Sequence, residues 1–121
     1  MNRLALSAYF IVSAVACRSD NDVRLDEMSA GLQLWNCCQF YATKHDMRFP
    51  TTLDELVETE ILSAPNLRQL SQSGNGPRWR YYGEGMSLEN KHDELLFESV
   101  LTSKSGAPLI QAYTVSGVRS N

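Results

Sequence analysis

The chain has 121 residues, a formal net charge of -3, 43% hydrophobic and 21% charged residues, which describes one small globular domain and excludes a disordered chain. The acidic balance argues against a phosphate-seeking surface, and so against a nucleic-acid partner. Three cysteines, two of them adjacent at Cys37 and Cys38, are too few for a disulfide-built scaffold.

Residues 1–16 read MNRLALSAYFIVSAVA. Arg3 gives a positive start, and Leu4 to Ala16 is apolar or small throughout. As a helix this run reaches only about 20 Å, short of the ~30 Å hydrocarbon core, so a spanning helix is disfavoured. A positive start, a short apolar region and a small-x-small end describe an export signal, cut after Ala16 in Ala14-Val15-Ala16. Ala14 to Cys17 also resembles a bacterial lipoprotein box, in which the cysteine becomes the lipidated N-terminus; Ala14 stands where leucine is usual. The two readings cut the same bond and differ only in whether Cys17 carries lipid. The competing reading is a hydrophobic first helix of the mature fold. Export predicts a periplasmic or cell-envelope lipoprotein, with plain secretion as the alternative.

From Cys17 to Arg24 the chain is polar and reads as a tether, with the folded domain running from 25 to 121. Leu25, Met28, Leu32, Trp35, Cys38 and Ala42 recur at steps of three and four, an apolar stripe widened by Leu34 and Tyr41. Asp26 and Glu27 near its start, and Lys44 and His45 near its end, suit the helix dipole. Trp35, at the centre of the stripe, is expected against a sheet.

Pro50 pushes Phe49 into an extended conformation and stops the helix. Thr52-Leu53-Asp54-Glu55 fits a capping box, so a short helix is expected from about Leu53 to Glu60, closed off by Pro65. Thr52, or Thr51 if the boundary slips, should cap it, with Phe49 packing back against the capped helix. Leu53, Leu56 and Val57 should face the first helix.

Residues 71–77, SQSGNGP, read as a loop. Trp79, Tyr81 and Tyr82 predict a short strand ended by Gly83 and Gly85. Leu95 to Leu101 reads as strand or helical turn. Leu109 to Val115 is the clearest strand, with a hairpin turn at Ser116-Gly117. Helices first and strands after argue for an α+β fold, a long helix packed on a small antiparallel sheet.

No catalytic signature is present: no G-x-S-x-G, no phosphate loop, no dinucleotide fingerprint. His45-Asp46 and His92-Asp93-Glu94 are candidates for a divalent metal, but their spacing favours solvated charges, and no cofactor is implied. Cys37 and Cys38 point about 100° apart on a helix and cannot bridge without unwinding it. On a strand, Trp79 and Tyr81 share one face while Arg78, Arg80 and Tyr82 share the other. A stacking surface is one reading. A buried aromatic pair with outward arginines suits the acidic chain better.

The stretch from Tyr41 to Val57, YATKHDMRFPTTLDELV, resembles the major pseudopilins of type II secretion systems and related prepilin-like proteins. There a helix ends in a tyrosine, followed by a polar loop, aromatic-Pro-Thr-Thr and a Leu-x-x-Leu helix. Pro77 to Gly85 and Tyr113 to Gly117 resemble the family's later strand and last hairpin. The family's prepilin cleavage site, long apolar helix with its glutamate, and calcium-loop aspartates have no counterpart here. The resemblance therefore implies a pilin-like head on an export or lipid signal, with Phe49, Pro50, Thr51 and Thr52 as its structural motif. It implies a non-enzymatic envelope protein, partnered by envelope or secretion-system proteins and, through Cys17, by the membrane. A small exported binding or inhibitory module is the alternative.

Overall fold

The computed structural model describes residues 19–74, 76–89 and 93–121. Helix α1 spans Asp20–Lys44. Ser19 caps it, its Oγ accepting from the Asp22 N–H at 3.2 Å, and Asp20 and Asp22 lie in the first turn at the positive end of the dipole. The expected tether is thus helical from Asp20 onward. The helix ends where Asp46 (φ 55°) and Met47 (φ 63°) turn left-handed and the Met47 N–H closes on the Ala42 carbonyl at 2.8 Å.

The second helix is shorter than expected. Helix α2 covers only Glu55–Glu58. Its end is a left-handed cap at Glu60 (φ 62°), with the Ile61 N–H bonded to the Leu56 carbonyl at 2.9 Å. A further helix, α3, spans Ala64–Ser71. Pro65, read as a stop, sits in its first turn, where a missing N–H costs nothing, and Ser63 Oγ caps it by accepting from the Asn66 N–H at 3.2 Å.

Two residues, β1 (Gln72–Ser73), pair with two more, β2 (Gly76–Pro77), inside the stretch expected as a loop. Four antiparallel strands follow as a meander: β3 (Trp79–Tyr81), β4 (Leu95–Ser99), β5 (Ile110–Tyr113) and β6 (Gly117–Ser120). The register pairs Tyr81 with Phe97, Phe97 with Ala112 and Ala112 with Val118, and a bulge falls between Leu95 and Phe97. The fold class is α+β, one long helix on one face of a small antiparallel sheet.

The face of α1 that meets the sheet shares Leu34, Cys38 and Ala42 with the predicted stripe but is otherwise rotated away from it. Glu27, Ala30, Gly31, Leu34, Cys38 and Ala42 are buried, whereas Leu25 and Leu32 are 59% and 41% exposed. Trp35 lies on the flank, half-buried, and donates its indole N–H to the Tyr113 carbonyl at 2.7 Å. The rotation follows from close approach. A Cβ at Gly31 would stand 3.2 Å from Trp79 Cη2 and 3.3 Å from Ile110 Cγ2, so the helix seats on the sheet through small side chains. A larger side chain at Gly31 would hold the two layers apart, and of the helix's leucines only Leu34 enters the seam.

Glu27, 2% exposed, fills the same seam. Its carboxylate accepts from the Arg78 Nε–H and, at 2.9 Å, from the Ser99 hydroxyl. Arg78, expected outward, turns in for this reason. A buried carboxylate needs a paired cation and full hydrogen bonding. Removing it leaves Arg78 and Ser99 without their acceptor. Glu27→Ala should lower unfolding stability by about 3 kcal/mol, the range for breaking a buried pair from one side. Urea melts check this, and a variant as stable as the parent overturns the seam as described.

Candidate functional site

The Phe49–Thr52 motif is a brace between the end of α1, α2 and the sheet. Phe49 is buried and donates its N–H to the Met86 carbonyl at 3.0 Å. Pro50 is fully buried, and its carbonyl accepts from the Tyr81 hydroxyl at 2.6 Å. Thr51 and Thr52 face solvent. The expected hydroxyl cap is not made: Asp54 occupies the N-cap position of α2 with no side-chain cap bond. Instead Glu55 reaches back, its Oε2 accepting from the Thr51 N–H at 3.2 Å and from the Tyr41 hydroxyl at 2.7 Å. One carboxylate thereby ties the last turns of α1 to the turn and to α2. The hydrogen bond to Glu55 is the main reason the Tyr41 phenol is pushed up to about 12, with burial and the charges of Glu55 and Glu58 adding to it.

The candidate metal ligands do different work. His45 stacks on Tyr41 with ring centroids 3.9 Å apart, and its Nδ1 lies 2.8 Å from the Tyr41 carbonyl. Asp46 is exposed at the left-handed helix end. Asp93 lies 3.7 Å from Arg119, and His92 lies outside the described residues. Among the described residues, no group of three or more His, Cys, Asp or Glu is placed to hold a metal ion. Cys37 is half-buried, Cys38 is fully buried, and burial pushes both thiols up. Thiols raised in this way carry little of the thiolate that nucleophilic chemistry requires.

The aromatic strand divides as the alternation predicts. Trp79 is buried edge-on against Phe97, centroids 5.1 Å apart, and donates to the Leu70 carbonyl at 2.7 Å. Tyr81 turns inward to Pro50, and burial is the first cause that raises its phenol. On the open face of the sheet, the register sets Arg80 beside Glu98, Glu98 beside Gln111 and Gln111 beside Arg119. Tyr82 donates to Glu98 at 2.7 Å, and the Arg119 guanidinium lies 4.9 Å from the Tyr113 ring centroid. This face is a self-paired polar ladder.

Two surface features remain, and pattern reading missed both. Leu25, Leu32 and Phe40 (50% exposed) lie on the side of α1 turned away from the sheet. Their apolar character, with steps of seven and eight residues, was the available signal. The second is a cleft between the first turns of α1 and the chain from Leu101 to Leu109, with Val23, Arg24 and Lys104 among its walls. It joins residues some eighty positions apart, so no local pattern announces it. Cys17, the candidate lipidation site, lies outside the described residues, as does the 1–16 leader. Compared with protein-family models, with characterised proteins and with solved structures, the chain finds no match.

The brace yields two expectations. Phe49→Ala should cost about 3 kcal/mol, as for other large-to-small core changes, while Thr52→Ala, at an exposed residue with no cap bond, should stay within about 0.5 kcal/mol. Paired thermal melts decide it, and equal losses would mean the turn is built otherwise. The second concerns alkali. Tyr41 is neutral in the brace and its folded value lies above its ordinary 10.0, so its contribution is complete below pH 10 and lost as pH rises toward 12. Tyr41→Phe should flatten that part of the stability–pH curve, read by denaturant midpoints across the range; an unchanged slope contradicts the assignment.

Proposed function

We propose that the chain is a non-enzymatic protein of the cell envelope, exported by its 1–16 leader and anchored through Cys17. Its pilin-like head acts by protein contacts in secretion, assembly or at the cell surface. The observation that supports this best is the outward face of α1. A 25-residue helix uses one face for the sheet and still presents Leu25, Leu32 and Phe40 to solvent. Exposed large side chains along one helix suit a groove or a second helix in a partner. The resemblance of 41–57 to pseudopilins adds to the reading, and the helix-on-sheet order agrees with such a head. Among the described residues no helix is long and apolar enough to cross a membrane.

The test has two arms. Palmitate labelling and mass spectrometry of the chain from an expressing bacterium should find a lipidated N-terminal Cys17, and Cys17→Ser should lose lipid while keeping export. A Leu32→Lys, Phe40→Ser double variant should melt like the parent, since both sites are exposed, yet lose envelope partners in a crosslinked pull-down. Undiminished capture would refute the helix face. An unlipidated, freely secreted chain would favour the small binding or inhibitory module instead.

A further inference from the structure

We propose that the pole of the molecule at the start of α1 rests directly on a lipid bilayer, with the 100–105 segment as the contact. The inference rests on the lipid-anchored reading above and deepens it. The sequence alone left room for a tether from Cys17 to Arg24, which would hold the head clear of the membrane. The structure removes that room. Helix α1 begins at Asp20 with Ser19 as its cap, so Arg18 alone separates Cys17 from the folded chain. Two residues of chain span at most about 7 Å. An acyl-bearing Cys17 sits at the boundary of headgroups and hydrocarbon, and the start of α1 cannot stand off from it.

What lies at that pole fits a bilayer surface. The cleft between the first turns of α1 and residues 101–109 has Val23 and Leu109 in its walls, and Leu101 lines it while staying 48% exposed. Its neighbour Val100 is 39% exposed. The segment is held by its own backbone: Leu109 N–H to the Leu101 carbonyl at 2.8 Å, Ser103 N–H to Ala107 at 2.7 Å, and Gly106 N–H to Ser103 at 2.9 Å. The Ser103 amide and the Leu101 and Ser103 carbonyls, paired in this way, lose little on leaving water. The charges nearby are of both signs: Asp20 against Lys104 and Arg24, with Arg24 bonded to Ser120 and to the Asn121 carbonyl. Contact should therefore depend on the apolar tip more than on lipid charge.

The experiment supplies the anchor artificially, so that it stands apart from lipidation in the cell. The chain from Cys17 onward, which carries every residue of the described fold, is coupled through Cys17 to a maleimide phospholipid. The background is Cys37→Ser, Cys38 being buried. The carrier is a phosphatidylcholine nanodisc doped with headgroup-nitroxide lipid, and amide NMR intensities are read. The amides of Leu101, Thr102, Ser103 and Lys104 should lose most of their intensity, while those of Phe40, Gln111 and Arg119 keep theirs. Leu101→Asp, at an exposed site, should return intensity to 101–104 relative to Asp20 and Asn21, which the anchor itself holds at the surface, without moving the melting temperature. Unbroadened 101–104 amides, broadening centred on the outward face of α1 or on the sheet ladder, or broadening that persists without nitroxide because a second copy covers the tip, each overturns the proposal. Failure here leaves the lipidated Cys17 standing, whereas an unmodified Cys17 in cells removes the anchor whatever the nanodisc shows.

Discussion

The carboxylate of Glu27 is buried between the long helix and the sheet, and the rest of the fold is arranged around keeping it paired. Its two oxygens face Arg78, just before β3, and Ser99, the last residue of β4. One side chain of α1 thus fixes the helix against two neighbouring strands at once. A charge in this position tolerates no sliding, because a shift of one turn would strand it against Trp79 and Ile110, the side chains nearest Gly31. Apolar contacts are far less particular about register. The hydrophobic seam supplies the attraction between the layers, and the ion pair selects one seating.

That seating decides what is left outside. Ala30, Gly31 and Ala42 let the helix approach closely, and of its three leucines Leu34 enters the seam while Leu25 and Leu32 are turned to the opposite side. The uncovered sheet face meets its own needs through the row from Arg80 to Arg119, so it presents matched charges and little unsatisfied surface. Exposed apolar side chains are left on α1 at Leu25, Leu32 and Phe40, at Val100 and Leu101, and singly at Met47 and Val115.

Much of this was legible in the chain. The long helix, the order of helices before strands, and the inward Trp79 and Tyr81 follow from periodicity and alternation. Ile110, Ala112 and Thr114 are the buried face of β5 and its turn, as alternation requires. The buried side of α1 was legible only in part: Leu34, Cys38 and Ala42 are buried as the stripe predicted, whereas Leu25 and Leu32 are not, because counting large apolar residues assumes that the core takes the largest ones. A helix lying close on a sheet takes the smallest, plus a glutamate whose partner lies 51 residues on. Pro65 misled for a related reason: the same residue that ends one helix begins another when a serine precedes it by two. The capping box was half legible: Glu55 reaches back to a backbone N–H, that of Thr51, but no threonine hydroxyl caps the helix, and the second partner of Glu55, Tyr41, lies fourteen residues away in sequence.

The last strand lies against the first helix. Helix α1 packs on β6, Arg24 reaches Ser120, and Val118 joins the residues packed on the core. The sheet itself grows by successive hairpins, each strand beside the previous one. The helix, although made first, therefore has an incomplete seat until Gly117–Ser120 have been synthesised. Until then the side of α1 that meets β6 has nothing to cover it. A protein whose closing contact joins its earliest and latest elements carries, in its topology alone, a delay before it becomes compact.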